Sequence, residues 1–362
     1  MNAATMPLVA VLATGSTVPE VMPFAQACEV HGVRGLAPAD AARALATALR
    51  AGGAAAVVVL SVDRIDGEAA HWLDAQQARG WIRGDDVPTF AQAWGAALAQ
   101  GHVPADAALL AWPSLPLLSW GDQGAPAAQA AMPAREPLGL YAIVDSTARL
   151  RQVLQAGVRT VQLRVKRPAD ADAAWDNALR PTLGEGLALA RDAGATLFIN
   201  DHWRLAAEFG AAAVHLGQED LLALGEAGRA ELRASGVALG ISSHAMWELA
   251  RARALAPRYV ACGPVWPTTT KDMPWRPQGL DNLAWWCRAA RAPVVAIGGI
   301  LTAEQVRLTA RAGADGVCVL RGLGADPRQV VPALQEAFAT GHAEAAATPV
   351  PARPHPTLGA LA

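Results

Sequence analysis

The sequence predicts an α/β protein, a (β/α)8 TIM barrel preceded by a small α/β domain, and three observations carry that prediction. Between residues 138 and 340, eight short apolar runs recur at even spacing, most of them followed by a helical pattern or a long loop. A doubly wound open sheet seldom holds so many consecutive parallel strands in such regular order. Several runs end in polar residues, and a barrel brings the carboxyl ends of all its strands to one face.

The first block comes before that pattern. PLVAVLAT reads as a strand, APADAARALATALRAGG as a helix with Asp40 near its start and a glycine stop, AAAVVVLSV as a buried strand and PTFAQAWGAALAQG as a second helix. The alternation implies a small α/β piece with one sheet, residues 1–120. Residues 121–137, GDQGAPAAQAAMPAREP, lack helical or strand periodicity and read as a linker. The barrel is assigned residues 138–340, and the Ala- and Pro-rich stretch 341–362 reads as a disordered tail.

Charge and composition narrow the function classes. A formal net charge of −2 offers no general attraction to nucleic acid or to an acidic membrane, so an anionic ligand must be met by locally placed Arg and Lys. Cys28, Cys262, Cys287 and Cys318 are scattered without a CxxC pair or zinc spacing, and read as reduced packing thiols. No basic n-region opens the chain and no apolar run approaches the ~20 residues of a membrane span, so a cytoplasmic protein is expected. GxGxxG and P-loop patterns are absent, which argues against dinucleotide and ordinary ATP sites.

The barrel strands are LYAIVD, TVQLRVK, TLFIND, AVHLG, ALGISS, YVACGPV, PVVAIGGI and DGVCVL. In the second, alternation puts Gln162, Arg164 and Lys166 on one side, into the barrel mouth, with Leu163 and Val165 facing the helices. Three inward polar residues, two of them cationic, call for an anion. The third strand ends on Asn200 and Asp201, and Asp220 follows the fourth. Parallel neighbours lie about 5 Å apart and end on the same edge, so the two carboxylates emerge side by side. They are either exposed loop acids or the ligands of a cation such as magnesium carrying a diphosphate.

Further along, Ser242 or Ser243 in GISSH can hydrogen-bond a ligand or cap the next helix. The long loop GPVWPTTTKDMPW offers Thr268, Thr269, Thr270 and Lys271 as a lid over the mouth. Gly298 and Gly299 in AIGGI, with the amides around Leu320 to Gly322, suit a second, separate phosphate, since barrels often build one after strands seven and eight. No nucleophile constellation stands out, and His215, within a strand, reads as a satisfied core residue.

QLRVK, IND, HLGQED, GISSH, GPVWPTTTK and AIGGI, in that order, closely resemble the thiamine-phosphate synthases, and the resemblance covers residues 138 to about 340. It implies a magnesium-dependent transferase that joins 4-amino-5-hydroxymethyl-2-methylpyrimidine diphosphate to a thiazole phosphate and releases diphosphate. It further implies that Gln162, Leu163, Arg164, Val165, Lys166, Asn200, Ser242 and Lys271 contact the pyrimidine diphosphate. Arg164, Lys166 and Lys271 would be the catalytic cations, and Asp201 and Asp220 the magnesium ligands. Thr268, Thr269, Thr270, Gly299 and the backbone of Leu320 and Arg321 would take the thiazole phosphate. The family's mechanism is dissociative: diphosphate leaves first, and the thiazole nitrogen attacks the resulting pyrimidine methylene cation.

Two positions depart from the family pattern. Val165 stands where an acid is common, and Arg321 where a small residue is usual; Val165 should face outward, while Arg321 can add a cation. RGDDVPTFAQAWGAALAQGHVPADAALLAW in turn resembles the closing segment of the hydroxymethylpyrimidine phosphate kinases, with Val87 and Pro88 in the places of a glycine and the catalytic residue. That implies an inert remnant, so a barrel freed of residues 1–130 is expected to keep its chemistry. The rival reading is a non-catalytic binding or regulatory protein for thiamine precursors on the same barrel. Small-molecule partners are expected, with no nucleic acid and no membrane, and assembly as a homo-oligomer is compatible with such a chain.

Overall fold

The computed structural model describes residues 6–122, 124–127, 136–269 and 274–358. The chain divides into two compact units, one made of residues 1–131, 245–255 and 355–362, the other of 132–244 and 256–354.

The first unit holds β1 (Leu8–Ala13), β2 (Glu20–Pro23), α1 (Phe24–Val30), α2 (Pro38–Ala51), β3 (Ala54–Ile65), β4 (Glu68–Ala75), β5 (Arg79–Gly84), α3 (Phe90–Ala99), α4 (Pro104–Leu109) and β6 (Leu117–Leu118). Its six strands form one sheet in the order β2-β1-β3-β4-β5-β6, every neighbouring pair antiparallel. α2 opens with Pro38, whose missing N–H is no loss in a first helical turn, and ends at Gly52 and Gly53. Its buried stripe of Ala42, Leu45, Ala46 and Leu49 packs with Val57, Val59, Trp72 and Trp81 of the sheet.

The hairpin of β4 and β5 was not foreseen, because its core positions include ionisable residues that break the apolar alternation. Each is answered locally. His71 accepts the Ser61 N–H at Nδ1 (2.9 Å), and Arg83, 2% exposed at its side chain, is paired with Glu68 (2.6 Å) and Asp66 (3.2 Å). The first residues expected to be linker are likewise held: the Asp122 carbonyl accepts from Arg43 and Trp81, and Ala125 packs on the apolar core.

The second unit carries the barrel: β7 (Gly139–Val144), α5 (Thr147–Gln155), β8 (Thr160–Leu163), α6 (Ala173–Asp192), β9 (Thr196–Asn200), α7 (Trp203–Glu208), β10 (Ala213–Leu216), α8 (Gln218–Ala223), α9 (Gly225–Ala234) and β11 (Ala238–Ser243). After α10 (Met246–Arg253), grouped with the first unit, follow β12 (Tyr259–Cys262), α11 (Gly279–Ala289), β13 (Val294–Ala296), α12 (Ala303–Arg311), β14 (Gly316–Val319) and α13 (Pro327–Glu344). All eight expected strands are present and close in sequence order, with β14 pairing β7 in parallel. The barrel interior is filled by Tyr141, Ile143, Phe198, Tyr259, Val295 and Cys318.

Two expectations are corrected. Residues 341–358 are not a disordered tail: α13 runs on to Glu344, and Thr357 is 1% exposed. Gly341 explains the continuation, because a Cβ there would overlap the Arg307 carbonyl, so only glycine lets α13 lie this close to α12. β8 stops at Leu163, short of the strand end expected at Lys166.

Within the first unit, α10 is tied down by side chains from the amino-terminal sequence. Asp106 accepts the Trp247 N–H (3.1 Å), Trp120 donates to the Arg251 carbonyl (2.8 Å), and Arg253 donates to the Leu115 carbonyl. Every residue of α10 is buried. Deleting residues 1–131 therefore removes partners of a helix with no exposed residue, and we expect an insoluble chain or one cut rapidly by protease at 245–255. A soluble truncated chain with full turnover would be the contrary result, and is what the motifs alone suggested.

Asp106 is 2% exposed, and burial pushes its carboxyl up to about 8. The native state thus holds a proton that the unfolded chain releases near pH 4, so this group's contribution is complete below about pH 4 and is lost as pH rises through about 8. Asp106→Asn keeps an acceptor and has nothing to ionise. Its unfolding temperature relative to wild type is expected to rise by about 3 °C between pH 5 and pH 9 in thermal scans; a difference that stays flat would mean the carboxyl ionises normally.

Candidate functional site

A cavity of about 410 Å³ opens at the carboxyl ends of the barrel strands. It gathers residues from distant parts of the sequence: Gln162 on β8, Arg164 and Lys166 after it, Asn200 and Asp201 at β9, Asp220 after β10, Ser242 on β11, Thr268 from the loop after β12, Gly299 after β13, and Leu320 and Arg321 after β14.

Arg164 and Lys166 lie beyond the end of β8, yet both still line the cavity. The Arg164 N–H donates to the Val144 carbonyl (2.7 Å), and His202 Nε2 donates to the Val165 carbonyl (2.9 Å), so the segment is held after regular pairing ends. Leu163 is 1% exposed and lies beside Gly186 of α6, away from the cavity; Val165 does not line it either. Their predicted contact with a ligand is therefore limited to backbone. Thr269 accepts a hydrogen bond from Arg321 Nη1 (3.0 Å), while Thr270 and Lys271 lie outside the described residues.

Asp201 has φ +64°, a conformation that Asp tolerates better than most residues, and its N–H donates to the His215 carbonyl (3.0 Å). Its Oδ2 is 2.5 Å from Lys166 Nζ. Asp220 accepts the Gly217 N–H at Oδ2 (2.9 Å), which fixes it at the first turn of α8. Asn200 is 4% exposed, and its Nδ2 has no hydrogen-bond partner, so a buried donor waits on the cavity wall.

Among the described residues, no group of three or more His, Cys, Asp or Glu is arranged to hold a metal ion. Asp201 and Asp220 nevertheless suit magnesium, which characteristically takes one or two protein carboxylates and completes its shell with substrate phosphates and water.

The glycines after β13 serve packing as well as any ligand. Gly298 and Gly299 have φ +93° and +74°, and a Cβ on either would press into Pro264 or Trp266 at 2.6 Å. The loops after β12 and β13 thus meet backbone to backbone where the second phosphate was expected.

Sequence reasoning passed over several lining residues, among them Ile143, Glu219, His244 and Cys318. Ile143 and Cys318 look like ordinary core in an apolar run, so only barrel geometry marks them. His215 is buried, with Nδ1 2.7 Å from the Tyr259 hydroxyl and Nε2 2.8 Å from Ser242 Oγ. Burial lowers its imidazole to about 4, so it is neutral near pH 7. Neither serine caps the following helix: Ser242 bonds His215, Ser243 accepts from Gln218 (3.0 Å), and the cap position falls on Ala245. The four cysteines are free thiols.

Fold and cavity define a barrel that gathers its polar side chains at the carboxyl ends of the strands. Residues 140–323 match the family model described as thiamine monophosphate synthase. A thiamine-phosphate synthase of Rhizobium etli is 44% identical over 52% of this chain and 87% of its own length. One from Neisseria meningitidis serogroup A is 40% identical over 56% of this chain and 96% of its own, and one from Escherichia coli O6:H1 is 47% identical over 46% and 75%. The chain belongs to the thiamine monophosphate synthase family.

Proposed function

We propose that this chain is a magnesium-dependent thiamine-phosphate synthase, which condenses 4-amino-5-hydroxymethyl-2-methylpyrimidine diphosphate with thiazole phosphate to give thiamine phosphate and diphosphate. The observation that carries the reading is a single cavity in which Arg164, Lys166 and Arg321 stand with Asp201 and Asp220. A site that must hold both a diphosphate with its cation and a second phosphate needs such a mixture of charges.

Arg164 and Lys166 receive the diphosphate and neutralise the charge that builds on it as the carbon–oxygen bond breaks. Asp201 and Asp220 hold the magnesium ion, which supplies further charge neutralisation to the leaving group when bound. Gln162, Asn200 and Ser242 orient the pyrimidine diphosphate. Thr268, Gly299 and the backbone of Leu320 and Arg321 take the thiazole phosphate, and the Arg321 side chain adds a cation there. By the resemblance, Thr269, Thr270 and Lys271 would also contact the substrates, Lys271 as a further cation. Such chemistry needs positioning and electrostatics more than a protein nucleophile, which accounts for the missing triad.

Diphosphate release is measured with both precursors, with each alone, and with and without magnesium. Release that needs both precursors and the metal is expected; binding of both without release would favour a non-catalytic precursor-binding protein. Among the described residues no helix is long and apolar enough to cross a membrane, and the free thiols suit a reducing compartment, which supports a place in the cytoplasm.

The first unit is proposed as an inert remnant of a hydroxymethylpyrimidine phosphate kinase, on the strength of Val87 and Pro88 at the anion-hole and catalytic positions. With ATP and hydroxymethylpyrimidine phosphate the purified chain should form no ADP. ADP formation dependent on the pyrimidine would refute the assignment.

A further inference from the structure

Along the cavity floor, four hydrogen bonds join five side chains end to end. Gln162 Nε2 donates to the Tyr141 hydroxyl (3.2 Å), which lies 2.9 Å from the Tyr259 hydroxyl. The Tyr259 hydroxyl is 2.7 Å from His215 Nδ1, and His215 Nε2 is 2.8 Å from Ser242 Oγ. Tyr141 and Tyr259 are each 1% exposed, and a Cβ on Gly240 would overlap the Tyr259 ring, so that phenol occupies room only a glycine leaves.

The two ends of this chain are not equivalent. Gln162 presents an amide N–H, which can only donate, so the Tyr141 oxygen accepts there and its own proton points onward to Tyr259. Tyr259 then donates to His215 Nδ1, and the imidazole proton lies on Nε2 and is donated to Ser242 Oγ. With its oxygen accepting from His215, Ser242 has its own hydrogen left for the cavity. Reversing every bond would leave the Tyr141 hydroxyl proton, buried between Gln162 and Tyr259, without an acceptor within the chain of bonds.

We infer that Tyr141, Tyr259 and His215 are positioning residues that set Ser242 as a hydrogen-bond donor toward an acceptor oxygen of the pyrimidine diphosphate. The proposal rests on the synthase reading for the identity of the acceptor, while the direction of the relay rests on the protein alone. Tyr141 and Tyr259 do not line the cavity and His215 lines it beside Ser242, and all three act through the Ser242 hydroxyl.

Two measurements test it. Nitrogen-15 NMR of the wild-type chain, with the His215 signal assigned by its loss in His215→Gln, should show a protonated Nε2 and a bare Nδ1. A protonated Nδ1 overturns the relay whether or not the chain turns over. In turnover, Tyr259→Phe and Ser242→Ala should each lower kcat about tenfold with the KM for thiazole phosphate unchanged, and the double variant should lose little more than either single one. Multiplying losses would show that Tyr259 does not work through Ser242. If the wild-type chain releases no diphosphate, the synthase reading fails, and the tautomer still decides the relay.

Discussion

Asp201→Asn is expected to lower magnesium-dependent diphosphate release by about three orders of magnitude while leaving the fold in place. The amide keeps the size of the side chain and loses the charge that, on the proposed reading, would hold a divalent cation beside the leaving group. Asparagine is the better substitution here than alanine, because φ at this residue is +64°, and a side chain without a local hydrogen-bonding group adds about 1 kcal/mol of backbone strain. Steady-state turnover across a magnesium series, read with thermal unfolding of the same variant, separates the two effects. Retained activity with unchanged magnesium dependence would remove Asp201 from the metal site.

Lys166→Ala is expected to move two quantities in opposite directions. The Lys166 ammonium lies 2.5 Å from Asp201 and would compete with a cation for that carboxylate. Removing it should tighten magnesium binding several-fold, since a unit charge at this distance is worth about 1.7 kcal/mol in water before screening by salt. Turnover should fall about a hundredfold, because on the proposed reading the leaving diphosphate would lose one of the cations that neutralise it. The same competition predicts that, in wild type, magnesium and diphosphate each bind more tightly in the presence of the other. Titration calorimetry of each alone and both together reads this directly, and independent binding would show that the pair does not open when ligands enter.

The barrel was legible because each strand is a short apolar run whose end carries polar residues, a pattern with little local competition. Residues such as Gln162, Asn200 and Asp201 announced themselves by following apolar stretches where a core side chain would be expected. Tyr141 and Tyr259 did not, because a tyrosine inside a strand looks like core, and only the closed barrel brings their hydroxyls to 2.9 Å. β4 and β5 were hidden for a related reason: His71, Asp74 and Arg83 are polar in sequence and buried in the fold, with partners that the strand's own sequence does not announce, such as Ser61 for His71, Arg50 and Arg79 for Asp74, and Glu68 for Arg83. The carboxyl-terminal stretch misled by composition alone, since alanine and proline suggest disorder unless a helix has something to pack against, and α12 supplies it beside Gly341.

The first unit is assembled from three separated pieces of chain, with residues 245–255 between two spans of the second. On the ribosome its amino-terminal sheet emerges early, but Asp106, Leu115 and Trp120 must wait for α10, which appears only after the first five barrel strands, β7 to β11, have been made. Contacts separated by 131 to 141 positions raise the contact order of what would otherwise be a quick-folding small sheet. The first unit therefore completes its packing only once residues 245–255 have been made, well after its own sheet.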